Sequence, residues 1–181
     1  TDRSRGLGDV YKRQMSNRFF NMNLAGGAML DIGVYALSIV RSFLDEQPDE
    51  IVSQWKPSPT GSDEQATILL KNAQGQMATV ALSMHSKQPK RAMISLEKGY
   101  IEIMEYPRAD KAVIVDAESG AQTEITAGDT ADALYYEMQD MEQAVKSGDA
   151  SAMQLAYSRD VMEIMTKLRK DWGMKYPGEA W

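Results

Sequence analysis

The chain has 181 residues, 26 Asp and Glu against 20 Lys and Arg, and no cysteine. That length, with 43% hydrophobic residues, suits a domain of ordinary size with a real core. The acidic balance argues against a broad basic surface for nucleic acid, and the lack of Cys excludes disulfides, zinc-thiolate sites and thiol nucleophiles. No apolar run is expected to approach the roughly 20 residues that span a bilayer, so no membrane partner is expected, and the lack of Cys fits a cytoplasmic location. Lys87, Lys90 and Arg91 read as a solvated loop.

Residues 1–14 are polar and aperiodic and run into Met15. They resemble a translated vector leader and are expected to be non-native or disordered, leaving 15–181 as the domain. Gly6-Leu7-Gly8 begins like a dinucleotide fingerprint, but Tyr11 stands where the third glycine belongs and no strand precedes it.

From Gly27 the periodicity is helical. Leu30, Val34, Leu37, Arg41 and Leu44 line one stripe, with Ile32, Ala36, Val40 and Phe43 beside it, and Pro48 follows the end. Asp31, Tyr35, Ser38 and Ser42 form a polar stripe, which is either a solvent face or a site. A carboxylate and a phenol at i and i+4 share one helix face, about one turn apart. Gly26 and Gly27 just ahead allow a backbone or a ligand to approach closely.

Strands are predicted over 50–55, 65–70, 77–85, 92–96, 100–104 and 112–115, with short turns between them. Connections this short favour antiparallel pairing. In the third strand Ala78, Val80, Leu82 and Met84 face one way and Thr79, Ser83 and His85 the other, so the sheet should have one apolar and one mixed face. Two helices close the chain. Leu134, Met138, Met141 and Val145 form the stripe of the first, opened by Asp129-Thr130; Val161, Ile164, Met165, Leu168 and Trp172 form that of the second, ended by Gly173. The methionines read as adaptable core filling. The fold class is α+β: a helix, a largely antiparallel open-faced sheet of about six strands, then two C-terminal helices.

The chemistry inventory is short. His85 is the only histidine, so a His-based metal cluster or a Ser-His-Asp triad has little to build on, and no metal site is expected. His85 reads as a strand-end residue, and Glu97-Lys98-Gly99 as a hairpin turn. Asp31 and Tyr35 are the one pair whose types and spacing suit proton transfer.

Gly26-Gly27-Ala28-Met29-Leu30-Asp31-Ile32-Gly33-Val34-Tyr35 resembles the G-G-x-x-x-D-x-G-x-(H/Y) signature of the Gfo/Idh/MocA oxidoreductases. Glu97-Lys98-Gly99-Tyr100-Ile101-Glu102 is similar to that family's sheet, and Trp172-Gly173-Met174-Lys175-Tyr176-Pro177 to its ending. Tyr rather than His at position 35 points toward the glucose-fructose oxidoreductase and dimeric dihydrodiol dehydrogenase branch.

The resemblance implies a C-terminal substrate and oligomerisation domain. It implies a Rossmann domain elsewhere in the parent chain, supplying the NAD or NADP site and a lysine from an E-K-P motif; neither motif is complete here. It also implies a small polyhydroxylated substrate and a homo-oligomer formed through the sheet face. Tyr35 would carry the proton, Asp31 would orient the substrate hydroxyls or the lysine, and Gly26 and Gly27 would give access at the cleft. A lysine ammonium beside a phenol favours phenolate, whereas a carboxylate alone disfavours it, so the fragment by itself is expected to be inactive. The alternative is a non-catalytic dimerisation or ligand-binding module of the same fold.

Overall fold

The computed structural model describes residues 15–181, so the leader and Gly6-Leu7-Gly8 lie outside the described residues. The described chain forms two compact units, one running to residue 88 and resuming at 160–181, the other comprising 89–159.

The first unit opens with a 3-10 turn, Met22–Leu24, capped by the Asn21 side chain. A tight bend follows, with Ala25 at φ 55° and Gly27 at φ 135°. A π-helical turn, Met29–Gly33, then runs without a break into α1 (Val34–Phe43). Gly33 is needed there, since a Cβ would lie 3.0 Å from both Leu82 Cδ1 and Met29 Sδ. Its absence lets the helix settle on the sheet.

That sheet is β1 (Glu50–Pro57), β2 (Asp63–Lys71) and β3 (Met77–Ser83), antiparallel in the order β1-β2-β3. Its register places Ser53 opposite Ile68 and Ile68 opposite Val80. Period-two alternation then buries Ala66, Ile68, Leu70, Val80 and Leu82, the inner face predicted for the third strand. Ala28, Met29 and Leu37 are buried on the helical side, as are Val161, Ile164, Met165 and Leu168 of the closing helix.

A buried ion pair stitches these helices. Arg41 Nε lies 2.9 Å from Asp160 Oδ2, and Arg41 Nη1 donates to the Leu44 carbonyl at the end of α1. Trp172 stacks on Trp55 at 5.2 Å and donates its indole N–H to Ser53 Oγ.

By length and composition, with a mean hydropathy of 1.4, Met22–Phe43 could cross a membrane, which corrects the expectation that no run is long enough. The glycines and Asp31 break the run in sequence, and Ala25 breaks its geometry. Within it Ala28, Met29, Ala36 and Leu37 are buried in the core just described, whereas Leu24 and Phe43 are exposed.

The second unit holds an antiparallel sheet, β4 (Arg91–Leu96), β5 (Gly99–Met104), β6 (Lys111–Asp116) and β7 (Gln122–Thr126). Glu97-Lys98 is the turn between β4 and β5, as expected. β7 is the strand that the hydrophobic pattern did not show, because four of its five residues are polar. The fold is α+β, with seven strands in two sheets among the described residues.

After β7, Asp129 accepts from the Ala131 amide and opens a 3-10 turn before α2 (Ala133–Ser147). The final helix is α3 (Leu155–Asp171). Gly173, at φ 65°, ends it as predicted. The α2 stripe differs from expectation: Met138 is 69% exposed and Val145 76%. These side chains are not core filling: within its unit the main contacts of α2 are with the flanking 3-10 turns.

Candidate active site

The glycine turn and the helix after it form the candidate site, and packing explains the glycines. A Cβ on Gly26 would lie 2.5 Å from the Arg18 carbonyl oxygen and 2.7 Å from the Asn21 nitrogen. One on Gly27 would overlap Asp63 Oδ1, and the φ of 135° is itself unfavourable for other residues. The close approach that these glycines permit in the structure is therefore by the chain's own backbone and by Asp63.

Asp31 lies inside the π turn and Tyr35 is the second residue of α1. The wider π turn, closed by the Val34 amide on the Met29 carbonyl, offsets the two from the plain i,i+4 stacking of an α-helix. Asp31 is half-buried and ion-paired to Arg18 at 3.4 Å. Arg18 also lies over the Phe19 ring, 4.1 Å from its centroid. The Tyr35 side chain is 48% exposed, and its hydroxyl makes no hydrogen bond among the described residues. Ser38 and Ser42 complete the stripe, bonded back to the Val34 and Ile39 carbonyls. π turns inserted in α-helices are frequent at functional sites, which favours the site reading of this stripe over a plain solvent face.

Behind the turn lies a buried polar cluster. Asp63 is fully buried, and its Oδ2 accepts the Met29 amide at 2.5 Å, while Oδ1 has no partner. Burial pushes the Asp63 carboxyl up to about 7, against the opposing pull of the Met29 amide and the Arg169 charge. Tyr176 donates its hydroxyl to the Gly26 carbonyl at 2.7 Å. Burial raises the Tyr176 phenol well above its usual range, and the Asp63 charge adds to that.

Arg169 lies over the Tyr176 ring at 4.9 Å and donates to both Glu179 carboxylate oxygens at 2.9 Å. The C-terminal segment and the glycine turn, separate motifs in sequence, are thus joined by a direct bond.

Sequence reasoning found Asp31, Tyr35, Gly26 and Gly27 but missed Arg18, Asp63, Arg169 and Tyr176. The available signal was the ending around Tyr176, which carried the resemblance without a physical role. His85 lies just past β3, as a strand-end residue, with its ring edge-on to Phe20 at 5.0 Å. A shallow concavity of about 360 Å³ in the second unit, lined in part by Arg108, Thr130 and Tyr136, shares no residue with the candidate site.

The chain matches the family model for the GFO/IDH/MocA C-terminal domain over residues 3–102. It is 27% identical over 171 residues to trans-1,2-dihydrobenzene-1,2-diol dehydrogenase of Xenopus laevis, covering 88% of this chain and 51% of that one. It is 26% identical over 196 residues to D-xylose 1-dehydrogenase (NADP(+)) of Hypocrea jecorina, covering 94% and 50%. The chain spans about half the length of the curated relatives it matches.

Among solved structures, the 3-ketoreductase KijD10 from Actinomadura kijaniata, in complex with NADP and TDP-benzene, gives a TM-score of 0.65 at 20% identity, covering 89% of this chain and 47% of that one. UDP-N-acetylglucosamine 3-dehydrogenase GnnA from Acidithiobacillus ferrooxidans gives 0.64 at 16% identity, covering 77% and 45%. At these identities the structural likeness shows the fold. With the family match covering more than half of its residues, the chain belongs to the GFO/IDH/MocA family, of which it carries the C-terminal domain.

Proposed function

We propose that this chain is the substrate-side part of a cytoplasmic NAD(P)-dependent oxidoreductase that interconverts a hydroxyl and a carbonyl on a sugar, polyol or dihydrodiol. The observation that carries the reading is the half-exposed Tyr35 phenol, presented from a helix whose first turn is anchored by buried bonds. A proton carrier must reach its substrate while its backbone stays fixed.

The described residues do not themselves fit a nicotinamide dinucleotide. Every strand pair is antiparallel, whereas a pyrophosphate cradle needs a strand, a glycine loop and a helix within a parallel unit. The cofactor, which supplies or accepts the hydride when bound, is assigned to an N-terminal domain of the parent chain. The named relatives lean toward NADP.

This chain's own residues handle the proton and the substrate's placement. Tyr35 exchanges a proton with the reacting hydroxyl or carbonyl oxygen. Asp31, held by Arg18, orients neighbouring hydroxyls. Gly26 and Gly27, proposed from the sequence to give access at the cleft, act instead by allowing the tight turn that sets where the Tyr35 helix begins. The parent is proposed to be a homo-oligomer assembled through the open sheet face.

Assaying the parent enzyme against vicinal-diol substrates, with nicotinamide absorbance as the readout, tests this. Turnover on at least one sugar, polyol or dihydrodiol is expected. Oligomer formation with no turnover on any of them would favour the non-catalytic module instead.

A further inference from the structure

We propose that Asp63 is a positioning residue for the Tyr35 helix, and that its carboxylate acts as a proton-sensitive clamp on the glycine turn that launches that helix. The inference rests on the reading of Tyr35 as the proton carrier, but its physical core stands without it.

The geometry is a two-sided grip. Tyr176 holds the turn from the carbonyl side at Gly26, 150 residues away in sequence. Asp63 holds it from the amide side at Met29, 34 residues away. Met29 is the first residue of the π turn that contains Asp31, and Tyr35 follows two residues after that turn ends. A shift of the turn therefore passes into both side chains through continuous helix. No side chain at Gly26 or Gly27 can take over the anchoring, since both positions exclude a Cβ.

The grip depends on charge because Asp63 is half satisfied. Its Oδ2 accepts the Met29 amide, and the Asp63 and Ala28 amides also favour the charged form, while Oδ1 is buried without a well-formed hydrogen bond. An ionised acceptor makes a hydrogen bond roughly twice as strong as a neutral one, so ionisation tightens the clamp. Burying a charge with an unpaired oxygen is costly, so protonation competes at a pH where an ordinary carboxylate would not titrate.

The groups facing the carboxyl are few. The closing helix contributes Arg169, which favours ionisation. The C-terminal segment contributes Tyr176, with Glu179 bound to Arg169 behind it. On Asp63's own strand, Glu64 is paired with Lys56 at 2.7 Å. The glycine turn itself has no charged side chain between Gly26 and Met29.

The test follows the Asp63 carboxyl carbon and the Met29 amide by NMR in the 181-residue chain as pH is raised. Both are expected to shift with one common midpoint near 7. In Asp63→Asn the Met29 amide should no longer respond to pH, and its hydrogen exchange should quicken roughly tenfold as the charged bond is lost. In the parent enzyme the same variant should lower kcat and flatten its dependence on pH around neutrality.

An Asp63 midpoint in the ordinary carboxylate range, or a Met29 amide that stays still while Asp63 titrates, would overturn the clamp. An unchanged kcat–pH profile would overturn the positioning role. Should Asp63→Asn fail to fold, the wild-type titration alone decides the clamp. That titration involves no catalysis, so failure of the Tyr35 assignment would leave its result standing.

Discussion

Asp63 and Tyr176 show how much of a site can be held by residues that its motif does not contain. Because burial raises Asp63 from 3.8 to about 7, the folded chain keeps a proton that the unfolded chain releases. The stability from this group is complete below about pH 4 and is lost as pH rises through about 7, a change on the order of a few kcal/mol. Urea denaturation of the wild type between roughly pH 4 and 8 should show that decline, and Asp63→Asn should remove most of it. Tyr176→Phe leaves the Gly26 carbonyl without its 2.7 Å bond and should cost about 1–3 kcal/mol in the same assay. Neither residue was legible in the sequence. Asp63 ends a stretch of Pro, Ser, Thr and Gly that reads as a solvated turn, and residue type alone cannot reveal that Ser62 and Asp63 are fully buried. Asp31 and Tyr35 were legible because their spacing is local and their chemistry is written in the residue types.

At the scale of elements, amphipathic period decided most assignments correctly. α1, α3 and the inner face of the first sheet were readable because their apolar residues repeat at helical or strand spacing. The π turn was not, since a π-helical hydrogen bond leaves no compositional mark. β7 escaped for a related reason: a polar strand has no apolar alternation to detect. The α2 stripe was read correctly as helix and wrongly as core, because periodicity reports that one face is apolar and not what covers it. Arg41 shows the converse, a charge within an apolar stripe that is satisfied by Asp160 and the Leu44 carbonyl. Removing one partner of such a buried pair strands the other. Arg41→Ala should therefore destabilise the first unit by about 3–5 kcal/mol, measured by chemical denaturation. An effect within experimental error would show that the pair contributes little to holding α1 against α3.

For the whole molecule, the governing fact is that the chain corresponds to about half of its curated relatives. The family was legible from one ten-residue signature, and the family match now includes it. The division into two compact units was not legible, because the connections between strands look alike in composition throughout. If the dinucleotide belongs to another domain, calorimetry on the 181-residue chain should show no tight binding of NAD or NADP. Tight binding would mean that the antiparallel architecture holds the cofactor in a way the geometry does not suggest. The central claim is that Tyr35 carries the proton, and steady-state turnover of Tyr35→Phe in the parent enzyme tests it most directly. The phenyl ring keeps the shape of the helix surface and removes only the hydroxyl. Turnover should fall by roughly 10²–10⁴ with the fold intact; turnover equal to the wild type would contradict the assignment.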